Sequence, residues 1–200
     1  MAFKKSLPPG VILAGGRGLR MGGRDKALIP LGDRPLLLHV ADRLEPQVSQ
    51  LAVNSNAEPV EIPSPLPIIA DSIEDRPGPL AGILAAMDWA RAFKSDWVIT
   101  VAIDTPFLPK NLVERLVRAQ MTSRSPVVLA ETADGMQPVA GLWYTELAPS
   151  LRGSIESGTR KVTDFAEAKD AVTAFFPEED FFNINTPEDL EIAEARLAAG

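Results

Sequence analysis

Short apolar segments alternate along this chain with segments of helical periodicity, and this alternation restricts the fold more than any other feature. The strongest apolar segment spans residues 96–103 and is almost continuously apolar, as central strands of a parallel sheet are. Strands are predicted at residues 10–14, 50–54, 67–70, 96–103, 126–130, 139–143, 174–176 and 182–184. Strands alternating with helices indicate an α/β, Rossmann-like three-layer fold with a mainly parallel central sheet and helices on both faces.

The helices are predicted from the spacing of apolar residues and from signals at their ends. In residues 35–45 apolar positions recur at helical spacing, and a proline ends the pattern. Residues 79–93 and 112–121 have apolar faces of the same kind. A last helix is predicted to begin with Thr186 as its N-cap and Pro187 at its first position.

Length and composition narrow the possible classes of protein. The chain has 200 residues, so we expect one domain over residues 1–200. Its net charge of -7 disfavours broad binding to nucleic acid or to an anionic membrane, so any anion site must be local. The absence of cysteine excludes disulfides, thiolate metal sites and a cysteine nucleophile. Neither a signal sequence nor a run of ~20 apolar residues is found, so we expect a cytoplasmic enzyme or binding module.

A glycine- and arginine-rich segment, residues 13–26, follows the first predicted strand. It contains five glycines and four cationic residues, and these cations are Arg17, Arg20, Arg24 and Lys26. Glycines let backbone N–H groups approach a phosphate closely, and the cations supply charge for a polyphosphate. The spacing matches neither the dinucleotide fingerprint nor the Walker A motif. The segment therefore predicts a phosphate-binding loop of another kind, with a solvated glycine turn as the alternative.

Acidic and amide side chains follow three of the predicted strands. Asp104 comes directly after the strand at residues 96–103, Asn54 ends another strand, and Asp71 follows a third. Because ligands bind beyond the carboxyl ends of parallel strands, these groups are predicted to share one edge of the sheet. Asp104 is a candidate Mg²⁺ ligand, since Mg²⁺ uses one or two carboxylates together with substrate phosphates. The alternatives are that Asp104 caps the next helix and that Asn54 and Asp71 only form turns.

The segment Asp75-Arg-Pro-Gly-Pro-Leu-Ala-Gly82 places a rigid turn before the helix predicted at residues 79–93. Backbone amides at the start of that helix could face a second phosphate. An ordinary loop and helix cap explains the same residues equally well.

Taken together, the motifs resemble the molybdenum cofactor guanylyltransferase family, within the glycosyltransferase-A-like nucleotidyltransferases. The resemblance covers almost the whole chain and rests on motifs in family order. These are Leu13-Ala-Gly-Gly with Arg20-Met-Gly and Asp25-Lys26, Val53-Asn54, Ala70-Asp71-Ser72, Pro77-Gly-Pro-Leu-Ala-Gly82, Asp104-Thr-Pro106 and Asn183-Ile-Asn-Thr-Pro-Glu-Asp-Leu190.

The resemblance implies a nucleotidyltransferase fold and transfer of GMP from GTP to molybdenum-loaded molybdopterin, with Mg²⁺ as cofactor and release of pyrophosphate. It implies that the N-terminal half binds GTP and the C-terminal half binds molybdopterin. Catalytic roles fall to Arg20, Lys26 and Asp104. The implied GTP contacts are Leu13, Ala14, Gly15, Lys26, Asn54, Asp71 and Asp104, with Asp104 also on the metal. Gly82, Asn183 and Asn185, together with Arg20, are implied on the molybdopterin side.

Three other functions remain open from the residues alone. One is cytidylyl transfer to the same cofactor, because base choice depends on loop geometry. A more distant enzyme alternative is a sugar-phosphate nucleotidyltransferase. The last is a non-catalytic nucleotide-binding adaptor for a molybdoenzyme, although the presence of both Lys26 and Asp104 argues against it. For an enzyme of this family, transient contacts with molybdoenzymes or cofactor-biosynthesis proteins are expected.

Overall fold

The computed structural model describes residues 7–15, 26–56, 66–73 and 78–199, together with the backbone of residues 17–18 and 24–25. Its central element is a seven-stranded sheet. The strands are β1 (Gly10–Leu13), β2 (Leu51–Asn54), β3 (Ile68–Ile69), β4 (Trp97–Ala102), β5 (Val127–Thr132), β6 (Gly135–Tyr144) and β7 (Val172–Phe175). The helices are α1 (Leu36–Leu44), α2 (Pro79–Ala92), α3 (Leu112–Ser123), α4 (Ala148–Glu156), α5 (Val162–Glu167) and α6 (Pro187–Ala199).

The strand order in the sheet is β7, β5, β6, β4, β1, β2, β3. Strand β1 pairs in parallel with β2 and β4, and β7 pairs in parallel with β5. Only β6 runs antiparallel to its neighbours within this sheet, β4 and β5. The mainly parallel sheet predicted from the sequence is therefore confirmed, with β1 and β4 at its centre.

Apolar side chains of the sheet alternate between two hydrophobic clusters, because successive residues of a strand face opposite sides. Ile12 of β1 packs in the cluster that contains residues of α1 and α3. Its neighbours Val11 and Leu13 pack in the other cluster, with α2, α4 and α5. The helices thus cover both faces of the sheet, as predicted. Among the described residues, none of the helices is long and apolar enough to span a membrane.

Two short antiparallel ribbons lie outside the central sheet. In the first, Arg17–Gly18 pairs with Arg24–Asp25, so the glycine-rich segment doubles back on itself after β1. In the second, Pro30–Leu31 pairs with Arg34–Pro35. A third hydrophobic cluster connects this second ribbon to α6 through residues Ile29, Leu31, Leu36, Ile184 and Ala193.

The strand predicted at residues 182–184 is wrong. These residues have no regular secondary structure and follow a 3₁₀ helix at Glu178–Phe181. Ile184 is fully buried in the third cluster, and its N–H donates to the Asp104 carbonyl at 2.9 Å. The apolar pattern here reflects packing under α6 and not pairing within the sheet.

Candidate active site

The carboxyl ends of β1, β2 and β4 bring the predicted nucleotide residues to one edge of the sheet. Leu13 is aligned with Asn54 in β2 and with Ala102 in β4. The backbone continues this pairing past the strands, since the Ala14 N–H donates to the Asn54 carbonyl at 2.9 Å. Gly15 is exposed beyond them, and a Cβ added there would meet none of the described residues within 4 Å. Among the described residues, the edge is therefore open at Gly15.

The glycine-rich segment returns to this edge at Lys26. Its two short strands, 17–18 and 24–25, pair antiparallel, and a 3₁₀ turn begins at Lys26. Arg20, predicted to be catalytic, lies outside the described residues. Its role stays a prediction.

The Lys26 ammonium group joins residues that are far apart in the sequence. Its Nζ donates to Asp104 Oδ2 at 2.8 Å, to Asn185 Oδ1 at 2.7 Å and to the Ile184 carbonyl at 3.3 Å. The side chains of Lys26 and Asp104 are only 13% and 19% exposed, so this ion pair is largely withdrawn from solvent. A buried pair of this kind is sensitive to loss of either partner, because the remaining charge is left uncompensated.

Asp104 does not cap the following helix. Helix α3 begins at Leu112 and has Asn111 at its N-cap position. The Asp104 side chain instead pairs with Lys26, and its backbone carbonyl accepts from the Ile184 N–H. The alternative of a simple capping role is therefore excluded by the geometry.

Of the two asparagines predicted on the molybdopterin side, the structure brings one to Lys26. Asn185 contacts the ammonium group, whereas the Asn183 side chain donates to the Phe181 carbonyl in its own segment at 3.2 Å. Asn185 is fixed by Asp189, whose Oδ2 accepts from the Asn185 and Thr186 N–H groups at 2.9 and 2.8 Å. The hydrogen bond from the Asn185 backbone is the main cause that lowers the pKa of Asp189.

A second polar group lies at the carboxyl ends of β2 and β3. The Nδ2 of Asn54 donates to Asp71 Oδ1 at 2.9 Å and to the Ile69 carbonyl at 3.1 Å. Asn56 Nδ2 donates to the other carboxylate oxygen of Asp71 at 2.8 Å. The structure thus brings together Asn54 and Asp71, as predicted for strand ends that share an edge.

Gly82 lies against this second group. A Cβ added at Gly82 would be 2.5 Å from Asn54 Oδ1 and 3.3 Å from Leu13 Cδ2. The structure therefore places Gly82 beside predicted nucleotide residues, and its assignment to the molybdopterin side stays a prediction. Gly78 occupies the N-cap position of α2 with φ at 79°, and the preceding residues 74–77 lie outside the described residues.

Asn56 and Asp189 were missed as site residues, although both have sequence signals. Asn56 repeats the amide of Asn54 two residues later, so that both can reach the same neighbour in an extended segment. Asp189 stands three residues after Thr186, which is the spacing of a capping box. In each case the sequence signal was an ordinary local motif. Only the contacts in the folded structure, of Asn56 with Asp71 and of Asp189 with Asn185, connect these residues to the site.

Comparison with known proteins identifies the family of this chain. A family model described as MobA-like NTP transferase domain matches residues 10–172. A molybdenum cofactor guanylyltransferase of Cereibacter sphaeroides is 42% identical over 190 residues, covering 94% of this chain and 96% of the relative. The protein of the same name from Rhodopseudomonas palustris (strain BisB5) is 41% identical over 193 residues, covering 93% and 92%.

Solved structures show the same fold. Molybdopterin-guanine dinucleotide biosynthesis protein A from Archaeoglobus fulgidus superposes with a TM-score of 0.78 at 24% identity, covering 96% of this chain and all of that one (100%). The 2-C-methyl-D-erythritol 4-phosphate cytidylyltransferase from Thermus thermophilus gives 0.70 at 20% identity, covering 97% and 99%. The predicted nucleotidyltransferase fold is confirmed. The chain belongs to the MobA-like NTP transferase family and, with its 41–42% identical relatives, to the molybdenum cofactor guanylyltransferases within it.

Proposed function

We propose that this protein transfers GMP from GTP to molybdenum-loaded molybdopterin and releases pyrophosphate. One observation carries the proposal: Asp104, on the predicted nucleotide side, and Asn185, on the predicted molybdopterin side, meet at the Lys26 ammonium group. A transferase needs such a junction, because both substrates must be held together at the reacting phosphorus. The names of the relatives support the choice of guanine and of the cofactor.

The chemistry needs positioning and charge more than proton transfer. An oxygen of the molybdopterin phosphate forms a bond to the α-phosphorus of GTP, and the bond from that phosphorus to the pyrophosphate oxygen breaks. The attacking phosphate oxygen is already ionised near neutral pH, so no strong general base is required. Lys26 can offset charge on the phosphates by exchanging its longest contact, the 3.3 Å hydrogen bond to Ile184, for a phosphate oxygen.

We propose Mg²⁺ as the metal of this reaction, held by Asp104 together with substrate phosphates. Within the described residues, no group of three or more His, Cys, Asp or Glu side chains could hold a metal ion. Asp104 nevertheless fits Mg²⁺, which commonly takes one carboxylate while phosphates and waters complete its shell. Lys26 bonds only Oδ2, so Oδ1 remains for a ligand among the described contacts. When bound, the ion would stabilise the negative charge that develops on pyrophosphate.

The test is pyrophosphate release by the purified protein with molybdenum-loaded molybdopterin, comparing GTP with CTP and the presence with the absence of Mg²⁺. We expect release that requires GTP, the cofactor precursor and Mg²⁺. Equal or greater turnover with CTP would replace guanylyl by cytidylyl transfer. GTP binding without any turnover would instead identify a nucleotide-binding adaptor.

The role of Asp104 is tested by Asp104→Asn, which keeps the shape of the side chain and removes its charge. Turnover should fall by about 100-fold or more, since charge stabilisation at the transferred phosphate is lost. The matched control is Asp33→Asn in an exposed turn, which should leave turnover unchanged. Urea unfolding of both variants checks that the fold is intact. Full Mg²⁺-dependent turnover in folded Asp104→Asn would refute the assignment.

A further inference from the structure

The carboxylate of Asp71 is held on both oxygens by two asparagines. Asn54 donates to Oδ1 at 2.9 Å and Asn56 donates to Oδ2 at 2.8 Å. Asn56 also accepts from the Asp71 backbone N–H through its Oδ1 at 2.9 Å. Asn56 therefore contacts Asp71 twice, once at the backbone and once at the end of the side chain.

The orientation of both amides is determined by their partners. The Asp71 N–H can only donate, so the oxygen of the Asn56 amide faces it and the Nδ2 group faces the carboxylate. The Ile69 carbonyl can only accept, which likewise directs the Nδ2 group of Asn54 toward Ile69 and Asp71. A carboxylate oxygen has two acceptor positions, so each oxygen of Asp71 can still accept a hydrogen bond from a ligand.

The position of this group in the sheet indicates which end of a nucleotide it meets. Asp104 follows β4 and Asp71 follows β3, and β1 and β2 lie between those strands. Three strand spacings, roughly 14 Å along the sheet edge, separate β4 from β3, and the Asp71 side chain reaches back from β3 to Asn54 at the end of β2. If the phosphates lie at Lys26 and Asp104, the nucleoside extends over β1 and β2 toward Asp71. Asn54 is only 3% exposed, whereas Asn56 is exposed, so the group is open to a ligand on the Asn56 side.

We infer that Asn56 is a positioning residue that holds the Asp71 carboxylate toward the N1–H and N2 amino donors of guanine. This inference rests on the proposed function and states which part of GTP the group of Asn54, Asn56 and Asp71 contacts. Two parallel donors on the guanine edge match the two oxygens of a fixed carboxylate. Cytosine places its amino group beside the N3 lone pair, which would face a carboxylate oxygen and be repelled. The same arrangement therefore favours guanine and rejects cytosine.

The test measures equilibrium binding of GTP and of inosine triphosphate, which lacks only the N2 amino group, by calorimetry. Wild-type protein should bind GTP about 10- to 100-fold more tightly than inosine triphosphate, the range of one hydrogen bond to a charged group. Asn56→Ala should reduce this ratio to about 3-fold or less, because the carboxylate is no longer held in place. Asn56→Asp, which keeps Oδ1 but replaces the donor by a second carboxylate oxygen, should reduce it at least as much.

The matched control is Asn111→Ala, which removes the same atoms from an exposed N-cap position that makes no side-chain capping hydrogen bond. Its GTP to inosine triphosphate ratio should equal that of the wild type. A loss of affinity for both nucleotides by the same factor in Asn56→Ala would show a merely structural role and overturn the inference. The inference would also be overturned if Asn56→Ala kept the GTP to inosine triphosphate ratio but no longer discriminated against 2′-deoxy-GTP. That result would place the ribose, not the base, at this group. If wild-type protein binds none of these nucleotides, the proposed function itself fails.

Discussion

At the scale of single residues, the site depends on one close approach between a helix and a strand. Gly82 of α2 packs directly against the Asn54 amide, and any side chain there would meet Asn54 Oδ1 at 2.5 Å. Asn54 cannot move away without breaking its hydrogen bonds to Asp71 and to the Ile69 carbonyl. A glycine at this position therefore keeps the second polar group in place.

Gly82→Ala should consequently weaken both folding and nucleotide binding. Overpacking of this kind costs about 1–3 kcal/mol of unfolding free energy, and displacement of Asn54 should raise the KM for GTP. Gly153→Ala in α4 is the matched control, because a Cβ there meets none of the described residues within 4 Å. That control should gain roughly 0.5–1 kcal/mol as a helical alanine. Urea unfolding and the KM for GTP measure the two effects. An unfolding free energy and a KM for GTP in Gly82→Ala equal to those of the wild type would contradict this account.

At the scale of elements, the start of α6 fixes the segment that reaches Lys26. Asp189 accepts from the N–H groups of Asn185 and Thr186, and the Asp189 N–H donates to Thr186 Oγ1 at 3.2 Å. This is a capping box with Asp in the acidic position. The predicted N-cap at Thr186 and first residue at Pro187 agree with it. The cap thus stabilises the helix and orients Asn185 together.

The capping box predicts a pH dependence of stability. The hydrogen bond from the Asn185 backbone, opposed by desolvation and aided by Thr186 and Lys26, lowers the pKa of Asp189. Since the folded state holds the proton less tightly than the unfolded state, the contribution is fully present above the unfolded pKa of about 3.9 and is lost as pH falls below it. Asp189→Asn should therefore lose less unfolding free energy between pH 7 and pH 3 than the wild type.

Urea unfolding at both pH values measures this difference. Glu188→Gln is the control, because Glu188 is an exposed acidic residue of the same helical turn that makes no hydrogen bond among the described contacts. Glu188→Gln should follow the wild-type pH profile closely. An identical pH profile for wild type and Asp189→Asn would show that the carboxylate of Asp189 contributes nothing to the cap.

At the scale of the whole molecule, residues 184–185 near the end of the chain pack against residues 26–36 near its start. Ile184 is fully buried with Ile29, Leu31 and Leu36, which surround the ribbon that follows the glycine-rich segment. The neighbouring Asn185 contacts Lys26 across 159 residues of sequence. Apolar packing and the polar junction therefore hold the same two segments together. The single domain over residues 1–200 stays a prediction, and this contact between the two ends of the chain supports it.

Ile184→Ala tests this packing between the two ends of the chain. Removing a fully buried isoleucine should cost about 2–5 kcal/mol of unfolding free energy and should lower kcat by releasing Asn185 from Lys26. Ile192→Ala is the control, because the same residue type is 47% exposed on α6 and should change stability by less than about 0.5 kcal/mol. Equal effects of the two variants on stability would contradict this account.

The prediction of a single domain has its own test. If residues 1–200 form one domain, fluorescence and far-UV circular dichroism should report one coincident unfolding transition of the protein. Two separate transitions would contradict a single domain.

Most of the fold followed from local patterns, and the failures have two causes. The central-sheet strands and the helices between residues 10 and 132 were predicted to within a few residues, whereas the two short ribbons in this range were not predicted. The hairpin of β5 and β6 was recognised only in part, although Asp134-Gly135 is a strong turn signal. Helices α4 and α5 were not predicted, and the strand at residues 182–184 was wrong. Helices α4 and α5 do bury residues at helical spacing, but with 9 and 6 residues they are too short for the period to be recognised in the sequence. At residues 182–184 the apolar side chains pack against α6, and the sequence pattern does not distinguish this packing from a strand.

The sequence by itself determined the alternating architecture and the sheet edge that carries Asn54 and Asp104, and it predicts a phosphate-binding role for residues 13–26. Each of these depends on local spacing, backbone freedom or charge, which a sequence displays directly. Only the tertiary structure decided that Lys26 joins Asp104 to Asn185, that Asn56 holds Asp71, and that Gly82 belongs beside Asn54. These contacts join segments 15 to 159 residues apart, and side-chain geometry across such separations is set by packing of the whole fold.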